Sequence, residues 1–265
     1  MIAYCIVDQN HLTHCGSELF RIRDLKTLDL SQNKIKTIGN QLAVLKELKS
    51  LNLDGNLLVA GSLEPVSALS KLQALSAGGN RLGPPIPRDP KHPQQSTPEA
   101  LPQFPTSLKS IKLDNNSFSS FPMQIVVPNR LTKLERIDFS NNNLAAIPEA
   151  ISNLASLTEL NLDNNVIVSL PDTIGELKKL KTLSLRNNQI QVSNTNFSDT
   201  NPQPLPVSLF EDTLLIDLNL HGNPLSSTQL NEFEGYEKFL ERRKKIKSKD
   251  IYGGALTNLD VCGLE

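Results

Sequence analysis

The chain has 265 residues, with 27 Lys and Arg against 28 Asp and Glu, a formal net charge of −1 and no Trp. Balanced charge excludes a dedicated nucleic-acid binder, whose domain is strongly basic. No apolar run approaches the ~18 residues of a membrane-spanning helix. The opening MIAYCIVDQNH lacks the charged and apolar regions of a secretory signal. Three cysteines (Cys5, Cys15, Cys262) are few and odd in number, which argues against a disulfide framework and for a reducing, cytoplasmic or nuclear compartment. A content of 44 Leu and 25 Asn makes the apolar fraction mostly one residue type, and such bias signals repetition.

Taken in chain order, the template L-x-x-L-x-L-x-x-N-x-L recurs nine times. A degenerate first copy reads Ile2, Cys5, Val7, Asn10, Leu12. It starts inside a strand with no polar cap, so either another surface covers this edge or the chain extends further. The frame continues through Leu25, Leu28, Leu30, Asn33, then Leu48, Leu51, Leu53, Asn56, then Leu72, Leu75, Ala77, Asn80. Beyond a first insertion come Leu108, Ile111, Leu113, Asn116, then Leu134, Ile137, Phe139, Asn142. The copies ending at Asn165, Asn188 and, after a second insertion, Asn223 complete the series. Side chains alternate along a strand, so the spaced leucines face inward and the intervening residues face solvent. A single copy cannot bury its apolar side alone, and stacking gives one continuous core. The predicted fold is therefore an α/β solenoid over residues 1–228, a horseshoe with a concave parallel sheet. The nine Asn side chains are expected to bond backbone groups at the turns and to form a structural ladder.

The Asn-to-Asn steps are 23, 23, 24, 36, 26, 23, 23 and 35. The first long step holds a proline-rich insertion at about 83–105, with eight of the 17 prolines. It is expected to be an extended surface loop. Its R-x-x-P-x-x-P wording at Arg81, Pro84 and Pro87 offers a ligand for a proline-recognition domain, although a stiffened insertion is the plainer reading. Thr97-Pro98 is a candidate proline-directed phosphorylation site. The second insertion, about 193–212, is polar in composition and contains a sequon at Asn196. The two loops are candidates to bracket one partner-binding side. After Asn223 the sequence predicts a capping helix over 229–249, started by Ser226 or Ser227, with Leu230, Phe233, Tyr236 and Phe239 on its apolar face. Residues 242–249 carry six Lys and Arg and no acid, a solvated helix end or a contact for an anionic surface. Without these six the remaining chain has a formal charge of −7, from −1 less six positive charges. The tail 250–265 is apolar enough to pack back on the solenoid or to enter a partner.

The frame resembles the leucine-rich repeat family. The tail I/L-P-x-x-I-x-x-L, seen at Ile147, Pro148, Ile151, Leu154 and at Leu170, Pro171, Ile174, Leu177, is similar to the intracellular 23-residue class of the Ras-suppressor and plant intracellular Ras-group type. That resemblance implies a non-catalytic scaffold or adaptor in signalling, linked to small GTPases or a phosphatase. A subunit of a larger protein assembly is the alternative.

Candidate partner-binding residues lie on the solvent side of the strands: Asp29, Asp54, Lys112, Asp114, Arg136, Asp138, Glu159, Asp163, Arg186 and His221. This mildly acidic stripe either steers a basic partner or is ordinary repeat wording filled with small polar residues. No cofactor or metal is expected. Cys5, His11, His14 and Cys15 resemble a zinc set only in composition, because both cysteines fall at inward apolar positions. A Ser184, His221, Asp217 triad fails because four residues along one strand separate Asp217 and His221 by ~13 Å. Phosphate-binding, dinucleotide and zinc-protease motifs are missing from the sequence.

Overall fold

A computed structural model describes residues 4–83, 101–192, 203–251 and 262, with side chains of the final helix described as far as Lys245. Among the described residues, nine three-residue strands form one parallel sheet in sequential order. They are β1 (Tyr4–Ile6), β2 (Thr27–Asp29), β3 (Ser50–Asn52), β4 (Ala74–Ser76), β5 (Ser110–Lys112), β6 (Arg136–Asp138), β7 (Glu159–Asn161), β8 (Thr182–Ser184) and β9 (Asp217–Asn219). The register never slips: Cys5, Leu28, Leu51, Leu75, Ile111, Ile137, Leu160, Leu183 and Leu218 pair in one row. From Leu28 onward this row is at most 2% exposed. From β2 onward the inward residues are Leu or Ile and the outward ones mostly polar, which locks the register, because a one-residue slip would turn the apolar row to water.

The outer side is built from short 3-10 turns, among them Asn40–Val44, Glu64–Ala68, Glu149–Asn153 and Asp172–Glu176. Apolar residues three apart select this geometry, since residues i and i+3 eclipse in a 3-10 helix. Ile151, Leu154 and Leu157 stack inward in this way, joined by Leu154 N–H to Ile151 O and Leu157 N–H to Leu154 O bonds of 3.0 and 2.9 Å. Pro148 and Pro171 precede their turns with ψ near 150°, so the proline in the repeat tail sets an extended entry.

Where the insertions are described, their C-terminal ends belong to the core rather than to a surface loop. Of the first, residues 84–100 lie outside the described residues, including Pro84, Pro87 and Thr97. Its end is core: Leu101 is 6% and Phe104 0% exposed. Gly83, at its start, lies where a Cβ would fall 2.5 Å from Ser117 O, so only glycine fits against that backbone. Asn196 also lies outside the described residues. The second half of its insertion folds into helix α1 (Val207–Glu211), which buries Leu209 and Phe210 and packs on the Asp172–Glu176 turn. A polar composition averaged over 20 residues hid this apolar end.

The C-terminal cap is two helices rather than one, α2 (Ser227–Asn231) and α3 (Tyr236–Ile251). Ser226 caps α2 with a full capping box to Gln229. Gly235, at φ 82°, turns the chain between the helices. Tyr236 then stacks on Phe239 at 5.6 Å and meets Phe210 edge-on at 5.5 Å.

Candidate partner-binding face

Eight Asn side chains join each repeat to the one before it. In Asn33, Asn56, Asn80, Asn116, Asn142, Asn165, Asn188 and Asn223, Oδ1 accepts a backbone N–H of the preceding repeat at 2.9–3.1 Å. Each Nδ2 donates to a carbonyl of that same preceding repeat at 2.7–3.0 Å. Asn10 differs; it is exposed and its amide donates to Asp8 O within its own turn.

The residue just before each Asn has positive φ in all nine copies: Gln9, Gln32, Gly55, Gly79, Asn115, Asn141, Asn164, Asn187 and Gly222. This position carries the turn, and the leucine template leaves it unspecified. Its signal was present, because seven of the nine are Asn or Gly, the residue types that tolerate this conformation best.

The carboxylates of the sheet face in front of these turns keep their charge but are tied into hydrogen bonds within the sheet. Asp29 Oδ1 accepts the Ser31 amide and hydroxyl at 2.9 and 2.7 Å, and Asn52 Nδ2 donates to Oδ2. Burial alone would raise the Asp29 carboxyl; the hydrogen bonds from Ser31 and Asn52 outweigh it and hold it below the usual value. Asp138 repeats the contact with Ser140. Asp54 Oδ1 accepts Ser76 Oγ and the Gly78 amide, both at 2.7 Å. Asp163 Oδ1 accepts Ser184 Oγ and the Arg186 amide at 2.6 and 2.8 Å. These carboxylates fasten strand ends, and the Asp-x-Ser wording at 29–31 and 138–140 was the legible sign of it.

Three predicted residues meet in one cluster. Lys112 Nζ lies 3.5 Å from Asp54 Oδ2 and 3.4 Å from Asp114 Oδ1. Burial alone would lower the Lys112 ammonium; Asp54 and Asp114 outweigh it and hold it above its ordinary value. Gly78 makes room for Asp114, since a Cβ there would fall 2.1 Å from Oδ1. Arg136 and Glu159 sit opposite each other across β6 and β7, both exposed. Arg186 and His221 are exposed at the far ends of β8 and β9. Arg81 lies away from this face; its amide donates to Leu58 O, and it bridges Val59.

Among the described residues, the sequence's candidate triad and zinc set are not brought together. The Ser184 hydroxyl of the rejected triad donates to Asp163 rather than to His221. Cys5 and Cys15 pack against the core while His11 and His14 face outward. Among the described residues no group of three His, Cys, Asp or Glu could hold a metal ion.

The family model described as leucine rich repeat matches residues 6–58 and 106–167. Those two stretches, less than half of the chain, are similar to leucine-rich repeats. Neither insertion is matched, and neither are the copies ending at Asn80, Asn188 and Asn223. A leucine-rich repeat protein of Leptospira interrogans is 27% identical, with 90% of this chain and 58% of that one covered and a TM-score of 0.61. An internalin of Listeria monocytogenes is 22% identical over 86% of this chain and 57% of that one, with a TM-score of 0.62. Internalin C2 of the same organism is 21% identical over 80% and 78%, with a TM-score of 0.55. The chain thus spans less than two thirds of the first two proteins, and the internalins share the leucine-rich repeat fold alone. No curated protein sequence matched.

Proposed function

We infer that the chain is a non-catalytic interaction module that offers its concave sheet to a protein partner. Leucine-rich repeat domains generally bind other proteins, which supports this reading. The observation that carries it is the contrast within the sheet. Asp29, Asp54, Asp138 and Asp163 are engaged internally, while Arg136 on β6, Glu159 on β7 and Arg186, two residues past β8, are exposed. Arginine is over-represented among residues that dominate binding energy, and a rigid sheet spares the backbone-ordering part of the cost of binding. The partner face is therefore β6–β8, with mixed rather than acidic charge.

The 23-residue step and three free cysteines support an intracellular signalling adaptor of the Ras-suppressor-like class, with a small GTPase or a phosphatase as the kind of partner that class implies. Among the described residues no helix is long and apolar enough to cross a membrane. A second reading, a structural subunit, is favoured by Tyr4 and Ile6, which are 68% and 69% exposed on β1. Of the basic run, Arg242 serves the fold: its guanidinium donates to Phe210 O and Leu215 O. Arg243 lies 5.7 Å from the Phe239 ring centroid.

Affinity capture from cells with the wild-type chain and an Arg136→Glu, Arg186→Glu variant tests the adaptor reading. The variant is expected to lose the principal captured protein; retention of every captured protein at wild-type level would refute the β6–β8 face. Loss on substituting Tyr4 and Ile6 by Ser, with a stoichiometric complex in the wild type, would favour the subunit.

A further inference from the structure

The residues just before the strands form a row of their own along one side of the sheet. Lys49 N–H donates to Lys26 O, Gln73 to Lys49 O and Lys109 to Gln73 O, each at 2.8 Å, and the same step carries the row on to Lys181 and Ile216. Neighbouring strands lie ~4.8 Å apart, so the row from Lys26 to Lys181 spans about 30 Å.

Charge is sorted across this narrow sheet. The four residues that precede each of β2–β9 hold ten Lys or Arg against three acids. The four that begin at the last residue of each of the nine strands hold two basic residues against six Asp. The strand-entry side is thus basic in a chain whose formal charge is −1. Lys26, Lys49 and Lys181 are exposed on it. Glu47 lies among these charges: a hydrogen bond from Lys71, then the charges of Lys71, Lys49 and Lys26, hold its carboxyl below the ordinary value. The helical cap adds to the same side. Arg242 Nε donates to Leu215 O at 3.1 Å, one residue before the end of the row at Ile216. That bond fastens α3 there, and the exposed Lys244 and Lys245 follow directly.

The residue types indicate the partner. Nine of the ten basic residues are Lys, a compact and strongly hydrated point charge. Of the Arg, Tyr and Trp that anchor protein interfaces, these positions hold only Arg23. Charge spread over a long side with so few anchors suits a surface of many anions rather than a single pocketed ligand. We propose that the strand-entry side docks on an anionic lipid bilayer, leaving the concave sheet open to a protein partner. Each Lys that nears such a surface strengthens binding about fivefold.

Sedimentation of the full chain with phosphatidylcholine–phosphatidylserine vesicles tests this. The wild type is expected to bind them, to ignore phosphatidylcholine alone and to be released by raised salt. A Lys26→Glu, Lys49→Glu variant should bind about 25-fold more weakly or worse, two lysines at about fivefold each. A Lys34→Glu, Lys36→Glu variant changes the net charge equally, past the turn on the other side of the sheet, and should lose far less. Equal losses in the two variants, or no binding by the wild type, overturn the proposal. Binding of soluble poly-glutamate without binding of vesicles also overturns it, in favour of an acidic protein segment. Should a variant unfold, the wild type decides: vesicles must shield Lys26 and Lys49 from an amine-reactive label more than Lys34 and Lys36. Equal labelling of the two pairs would sink the idea.

Discussion

The Asn side chains are where single residues matter most. Asn142 Oδ1 accepts the Asn116 and Phe118 amides, and its Nδ2 reaches Leu113 O, Phe139 O and Ser140 O. Truncation would leave buried backbone groups on two repeats without partners. Asn142→Ala is expected to lower the unfolding free energy by about 2–4 kcal/mol, since each orphaned group costs ~1–3 kcal/mol. Asn10→Ala, exposed and bonded only within its turn, should change it by less than about 0.5 kcal/mol. Urea denaturation of the two variants checks the contrast; equal losses would show that the ladder contributes nothing beyond local turn formation. That a ladder existed was readable from Asn spacing. Its direction, each side chain serving the preceding repeat, was not, because spacing says nothing of which way an amide points.

At the scale of elements, the repeat spacing decided strand positions and register, and apolar triplets such as Ile151, Leu154 and Leu157 already carried the 3-10 period. The insertions resisted reading because they leave the frame. Leu205, Leu209 and Phe210 are buried by tertiary contact with the Asp172–Glu176 turn and α3 rather than by any period of their own. Gly175 is the hinge of that contact. A Cβ there would meet Ser208 Cβ at 2.4 Å and the Ser208 carbonyl carbon at 3.1 Å. Ser208 Oγ in turn donates to Asp172 O at 2.7 Å, so it cannot simply swing aside. Gly175→Ala should destabilise the chain by about 1–3 kcal/mol, the usual cost of overpacking. Adding Ser208→Gly should recover part of the loss. A stable Gly175→Ala chain in thermal denaturation would mean that α1 is free to move away.

For the whole molecule, contacts run between neighbouring repeats, so stability is close to a sum of local terms. Leu160, 1% exposed in β7, tests this. Leu160→Ala is expected to cost about 2–5 kcal/mol. Amide exchange should rise in β6, β7 and β8 and stay unchanged in β2 and β3. A uniform rise would instead show a single all-or-none unit. The candidate site was legible only in part for the same reason of scale. The charged residues could be listed from their strand positions, but their internal hydrogen bonds, which set Asp29 and Asp163 apart from Arg136 and Arg186, depend on neighbours 21–23 residues away as much as on the local Asp-x-Ser wording.

The one-way ladder has a consequence for how this chain comes into being. Synthesis delivers the N-terminal repeat first, and each repeat waits for the Asn of the next to satisfy its turn. At ~5–20 residues per second a step of 23 residues takes about 1–5 s to emerge. The nascent solenoid therefore always trails the ribosome with one unfinished turn at its growing end. The two insertions, which stretch the step to 36 and 35 residues, are the places where that wait is longest.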